Sequence, residues 1–367
     1  MDFNDILNMM VQKQASDLFI TADMPPSIKV HGRISPVAKT KLTEQQSREL
    51  AYSLMTPEQR DEFLHTKECN FAFNAKGIGR FRVSAYVQRD SVAMVLRRIE
   101  TQIPVFEELG LPATLIDLAM AKRGIIFLVG ATGTGKSTTL AAMVGYRNVN
   151  TTGHIISIED PIEFLHNHAG CIVTQREVGV DTESYEVALK NTLRQAPDVI
   201  MIGEIRTREA MEHAISFAET GHLVLTTLHA NNANQALDRI IHFFPEEQRE
   251  QVLMDLSLNL KGIVAQQLIR RPDGNGRRAV LEIMLNTPLA ADLVSKGDIT
   301  KLKELMKRSN EHGMITFDQA LYQAYVRGDI TQEDALHHAD SANEVRLMIK
   351  LGDNRPGTRR RDGNALG

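Results

Sequence analysis

The residues best placed to do chemistry are Gly130, Ala131, Thr132, Gly133, Thr134, Gly135, Lys136 and Ser137, in that order. They fit G-x-x-x-x-G-K-[ST] and fall between an apolar run, GIIFLVG at 124–130, and a helical stretch. In that setting the glycines let the backbone curl until its N–H groups face a phosphate chain. Lys136 reaches the β and γ oxygens, and the Ser137 hydroxyl enters a Mg2+ shell. Thr138 completes the expected nucleotide-binding stretch, so the pattern predicts ATP and Mg2+ as ligands. The same chemistry needs an acid at the carboxyl end of a neighbouring strand, where a carboxylate meets the metal's shell. VIMIGE at 199–204 ends in Glu204, which fits.

These residues need a sheet to hold them. The apolar runs IIFLVG, HIISIE, VIMIGE and HLVLTTLH alternate with helical segments such as 184–196 and 208–219. Buried strands alternating with helices predict a largely parallel α/β sheet, the core of a P-loop NTPase. Upstream, Phe3, Ile6, Leu7, Met10 and Val11 fall at helical spacing. Thr43 with Gln46 and Thr56 with Gln59 read as capping boxes, and strand-like runs follow at 70–73, 80–87 and 92–99. The chain therefore divides into an α+β domain over 1–100, a linker over 101–112, an ATPase domain over 113–349 and a disordered basic tail over 350–367. Beyond Pro245 it reads as mostly helical, with a long apolar-periodic stretch over 246–268 and a cap at Thr331 with Asp334.

With 367 residues, 43% of them hydrophobic, the chain can bury the cores of two domains. A formal net charge of -4 supplies no basic field for nucleic acid, so proteins are the expected partners. Cys69 and Cys171 are too few for a four-cysteine zinc site or a disulfide framework. No run approaches the ~18 apolar residues of a membrane span, and the N-terminus carries acids where a signal peptide carries bases. The expected location is cytoplasmic.

LRQAPDVIMIGEIR at 193–206 resembles the signature of the type II/type IV secretion ATPases, and the resemblance extends over nearly the whole chain. IEDPIEF at 158–164 resembles the family's Asp box and TGHLVLTTLHAN at 220–231 its His box. The resemblance implies a RecA-like core, an N-terminal PAS-like domain and C-terminal helices. It makes Glu163 the residue that activates or orients the attacking water, supported by Glu159 and Asp160, while the choice between Glu163 and Glu204 as water activator stays open. It makes His222 and His229 sensors of the γ-phosphate or of a neighbouring domain, and Arg82 and Arg97 arginine fingers. A guanidinium brought onto the γ-phosphate neutralises charge that develops in the transition state. Without the family boxes the acids would read as a solvated, capped turn and the histidines as structural residues, as His213 and His242 do here. Thr207 stands where the family pattern closes with Asp.

Assembly motors of the family usually carry an extra N-terminal region and a tetracysteine insertion; with two cysteines and a compact first domain, this chain is expected to lack both. That resembles the retraction branch of type IV pilus motors, the PilT/PilU family. TPLAADLVSKGD at 287–298 lacks the arginine-containing core of the PilT helix, and with the arginine-rich extension after Leu351 it is more similar to PilU. The resemblance implies a homohexamer powering twitching motility beside a PilT-type paralogue. It also implies peripheral attachment at the inner membrane through a PilC-type platform protein. Two other readings remain: an ATP-binding adaptor docking on the main retraction ATPase, and a nucleic-acid-translocating motor, which the net charge disfavours.

Overall fold

Along Gly79–Gln88 every second side chain from Phe81 to Ala85 is buried, as in a strand with one face on a core. In the computed structural model, which describes residues 3–30, 32–99, 102–274 and 276–353, this strand belongs to a six-stranded antiparallel sheet. Its members are β1 (Asp17–Ile20), β2 (Ser27–Val30), β3 (Arg33–Pro36), β4 (Glu68–Ala75), β5 (Gly79–Gln88) and β6 (Ser91–Arg98), in the order β3-β2-β1-β6-β5-β4. Helices α1 (Phe3–Gln12), α2 (Glu44–Leu54) and α3 (Pro57–Thr66) contribute Leu7, Met10, Ala51 and Phe63 to a core with Leu18, Ile28, Phe81, Val83 and Leu96. Thr43 and Thr56 cap α2 and α3, each with its glutamine answering from the third helical position. This first compact unit comprises the residues up to Gln102 together with Ile162–Leu165 and Gly179–Glu183.

The second unit is built on seven strands: β7 (Gly124–Val129), β8 (Gly153–Glu159), β9 (Cys171–Glu177), β10 (Val199–Ile202), β11 (Leu223–Leu228), β12 (Leu260–Arg270) and β13 (Arg277–Leu285). Their order is β13-β12-β7-β11-β10-β8-β9, and all pairs are parallel except the β12–β13 hairpin. Every residue of β7, β10 and β11 is buried, because helices cover both faces of the sheet. The connecting helices are α4 (Phe106–Leu109), α5 (Thr114–Ala119), α6 (Lys136–Asn150), α7 (Tyr185–Thr192), α8 (Arg208–Glu219), α9 (Ala233–His242) and α10 (Glu246–Asn259). A C-terminal layer follows: α11 (Pro288–Ser295), α12 (Ile299–Arg308), α13 (Phe317–Val326), α14 (Gln332–His337) and α15 (Ala342–Asp353). No helix among the described residues is long and apolar enough to cross a membrane.

Three expectations are corrected. The helical stretch expected over 246–268 ends at Asn259, and Leu260 begins β12. Residues buried on both sheet faces lose the period-2 signal, so this apolar run cannot declare itself a strand from its pattern. The linker expected over 101–112 contains α4, whose Phe106 is buried with its ring edge-on to Tyr146 at 5.5 Å; Thr101 lies outside the described residues. Of the tail expected over 350–367, residues 350–353 belong to α15, which runs to Asp353; 354–367 lie outside the described residues.

Candidate functional site

Strand β7 delivers Gly130 to the carboxyl edge of the sheet, and the chain turns through Gly133 (φ +79°) and Gly135 (φ +85°) into α6. Those left-handed conformations favour glycine, and a Cβ on Gly135 would also stand 2.9 Å from Gln266 Nε2. Lys136 Nζ donates to the carbonyls of Gly130 (2.7 Å) and Ala131 (2.9 Å), and Thr134 Oγ1 donates to Ala131 O at 2.9 Å. The lysine is thus folded over the loop that a phosphate would enter. Ser137 and Thr138 stand in the first turn of α6, where unpaired N–H groups and the helix dipole favour an anion.

Behind the loop lies a residue that sequence reasoning missed. Gln266 of β12 is 3% exposed; its Nε2 donates to Thr134 O at 2.8 Å and its Oε1 accepts from Thr139 Oγ1 at 2.7 Å. One amide therefore ties the phosphate loop to the second turn of α6.

Because β7, β8, β10 and β11 are parallel, their carboxyl ends share this edge. Glu204, two residues beyond β10, is clamped there: Arg206 Nε and Nη2 each lie 2.7 Å from Oε2, and His229 Nε2 lies 2.9 Å from Oε1. Glu204 raises the Arg206 guanidinium above its ordinary value, and Arg206 Nη1 is also 3.7 Å from Asp160 Oδ2. Glu159, at the end of β8 and buried, accepts from Ser157 Oγ (2.7 Å) and Gln175 Nε2 (3.0 Å) on Oε1. Burial and then the charges of Asp160 and Glu159 push the Tyr185 phenol up, and its hydroxyl meets the Glu204 backbone amide. Thr227 Oγ1 donates to Gly203 O at 2.7 Å, fixing the end of β10 to the end of β11. Glu159, Asp160, Glu204, Arg206 and His229 are thereby joined at the phosphate-loop edge.

His222 is not. It precedes β11, its backbone oxygen accepts from Gly124 N at the start of β7, and its Nδ1 lies 3.1 Å from both Phe217 O and Thr220 Oγ1. The length of β11, about 20 Å at 3.3 Å per residue, separates it from His229. His222 therefore lies at the opposite edge of the sheet from His229 and the phosphate loop. The direction of a strand parallel to the one feeding the phosphate loop was the available signal. Glu163 is exposed, makes no hydrogen bond or ion pair among the described residues, and lies in a segment grouped with the first unit. In that unit Arg82 of β5 and Arg97 of β6 are direct cross-strand partners. Thr207, where the family pattern has Asp, caps α8 by accepting from Ala210 N at 3.3 Å, a duty both residue types perform.

For Mg2+ the donors at this edge are the Ser137 hydroxyl and the Glu204 carboxylate. Among the described residues no group of three or more His, Cys, Asp or Glu could form an all-protein cage. That set fits Mg2+, which keeps waters and takes its remaining ligands from substrate phosphates.

Comparison with known proteins agrees with this architecture. The family model "Type II/IV secretion system protein" matches residues 2–336. The type IV pilus ATPase PilU of Pseudomonas aeruginosa is 69% identical over 352 residues, covering 96% of this chain and 92% of that protein. The type IV pilus retraction ATPase PilT of the same organism is 38% identical over 339 residues, covering 92% and 98%. A crystal structure of the pilus retraction motor PilT with bound ADP superposes with a TM-score of 0.89 at 39% identity, covering 95% of this chain and 99% of that one. With its phosphate loop, its clamped strand-end glutamate and a match that spans both units, the chain belongs to the type II/IV secretion system protein family.

Proposed function

We propose that this chain is an ATP-hydrolysing motor that powers type IV pilus retraction, as a PilU-type motor working beside a PilT-type ATPase. The observation that carries the reading is Glu204 held between Arg206 and His229 on the edge that carries Gly130–Ser137. The 69% identity to PilU over nearly the whole chain supports the pilus-specific part.

In this reading the loop N–H groups and Lys136 bind the triphosphate, and Lys136 exchanges its bonds to Gly130 and Ala131 for phosphate oxygens. Ser137, with Glu204 partly through water, holds Mg2+, which neutralises charge on those oxygens. Gln266 keeps the loop open. His229 reports the state of Glu204 to α9, which begins four residues later. Arg82 and Arg97 are the arginine fingers, Glu163 orients the attacking water, and Glu159 and Asp160 support the edge. Copies assemble as a homohexamer in the cytoplasm, attached at the inner membrane through a PilC-type platform protein.

Live imaging of fluorescently labelled pili in cells deleted for this chain tests the reading. Pili should emerge and fail to retract normally, with wild type restoring retraction and Lys136→Ala not restoring it. Loss of surface pili would assign the chain to assembly instead, and restoration by Lys136→Ala would make it a non-hydrolysing adaptor.

A further inference from the structure

Asp17 of β1 is an acid buried in a sheet, 4% exposed, and both carboxylate oxygens are engaged. Oδ1 accepts from Arg97 Nε at 2.9 Å, and Oδ2 accepts from Ser16 Oγ at 2.8 Å. Register places Lys29, Asp17, Arg97 and Arg82 in one row across β2, β1, β6 and β5. The adjacent row, Leu18, Leu96 and Val83, is buried in the core, so this row belongs to the opposite face.

The pair is asymmetric. The Asp17 side chain is 6% exposed and that of Arg97 is 72% exposed. Withdrawing a carboxylate from water costs several kcal/mol, whereas an ion pair with so exposed a partner returns only about 0–1 kcal/mol. Stability alone does not account for an acid at a strand position that a β-branched residue would fill better. Its geometry does offer an account. Asp17 takes the Nε–H of Arg97 and leaves the Nη1 and Nη2 groups without a partner among the described residues. A guanidinium held at Nε presents its outer fork in one orientation, the arrangement that grips a phosphate with two parallel bonds.

We infer that Asp17 is a positioning residue that aims Arg97 at the phosphate group undergoing transfer. The inference rests on reading Arg97 as an arginine finger, and its test separates the two. Steady-state hydrolysis, affinity for a non-hydrolysable ATP analogue and melting temperature are measured on the full chain for Arg97→Ala, Asp17→Asn, the double variant and Arg97→Lys. Arg97→Ala should lose turnover and keep nucleotide affinity. Asp17→Asn should lower kcat by about ten- to a hundredfold, the scale of a slightly misplaced group, with KM unchanged. The double variant should be no slower than Arg97→Ala. Arg97→Lys retains charge and pairing with Asp17 but spends its single ammonium on that pair, so it should hydrolyse no faster than Arg97→Ala. Wild-type turnover in Arg97→Ala would overturn the finger reading and this inference with it. Lost turnover in Arg97→Ala combined with wild-type kcat in Asp17→Asn, or with near wild-type kcat in Arg97→Lys if Asp17→Asn does not fold, would overturn the positioning role alone.

Discussion

Glu204 has each carboxylate oxygen held by a different side chain, and that decides what it can do at the nucleotide site. With Arg206 at 2.7 Å on one oxygen and His229 at 2.9 Å on the other, its carboxylate plane is fixed before any metal shell forms around it. A carboxylate held this way needs little reorganisation when charge develops nearby. Glu204→Gln keeps the shape and removes the charge that the Arg206 guanidinium answers. Phosphate-release assays should show turnover falling by about a hundredfold or more, the scale of losing one preorganised electrostatic group, while binding of an ATP analogue persists. Turnover near wild type would exclude Glu204 from the site. The glycines, Lys136 and Ser137 were legible in the sequence because their roles depend on neighbours within eight positions. The clamp was legible only in part: Glu204 announces itself at a strand end, whereas His229 and His222 look alike until strand direction assigns them to opposite edges.

Among elements, β12 carries the clearest lesson. Ile263, Val264 and Ala265 are buried on a strand that runs parallel to β7, and the residue after them, Gln266, reaches the phosphate loop 132 positions earlier in the chain. A glutamine inside an apolar run was visible in the sequence, but its partners were not. Gln266→Leu preserves volume and removes both bonds, leaving Thr134 O and Thr139 Oγ1 without that amide. Such losses cost about 1–3 kcal/mol each. Nucleotide affinity measured by calorimetry should weaken by about tenfold or more, with kcat at saturating ATP reduced less. Unchanged affinity would show that the loop holds its shape without β12. Helix caps behaved differently: Thr43, Thr56 and Thr331 each accept from an amide three residues onward, so local sequence sufficed to specify them.

At the scale of the whole molecule, a buried acid links the sheet to the helical layers. Glu282 of β13 is 2% exposed; Oε1 accepts from Ala233 N at 2.9 Å and Oε2 from Phe317 N at 3.2 Å, so one carboxyl group meets the first residues of both α9 and α13. Burial pushes its pKa up to about 7, against the lowering effect of those amides; Asp340 adds to the rise and Lys303 opposes it. With the folded value above the ordinary 4.5, this group's contribution is fully present below about pH 4.5 and lost as pH rises through about 7. The difference is on the order of 3 kcal/mol. Melting temperatures at pH 5 and pH 8 should show wild type gaining on Glu282→Gln toward the acid end, and an equal gap at both pH values would refute the linkage.

The sequence by itself determined the phosphate loop, the strand-end acid, the helix caps and the α/β class, because each rests on backbone preferences or on side chains that bond within a few residues. Tertiary structure alone decided that 260–270 is a strand, that Gln266 braces the loop, that Asp17 meets Arg97 across 80 positions, and that Glu282 caps two helices at once. Those contacts exist only after distant strands pair, and no local pattern encodes which strands become neighbours.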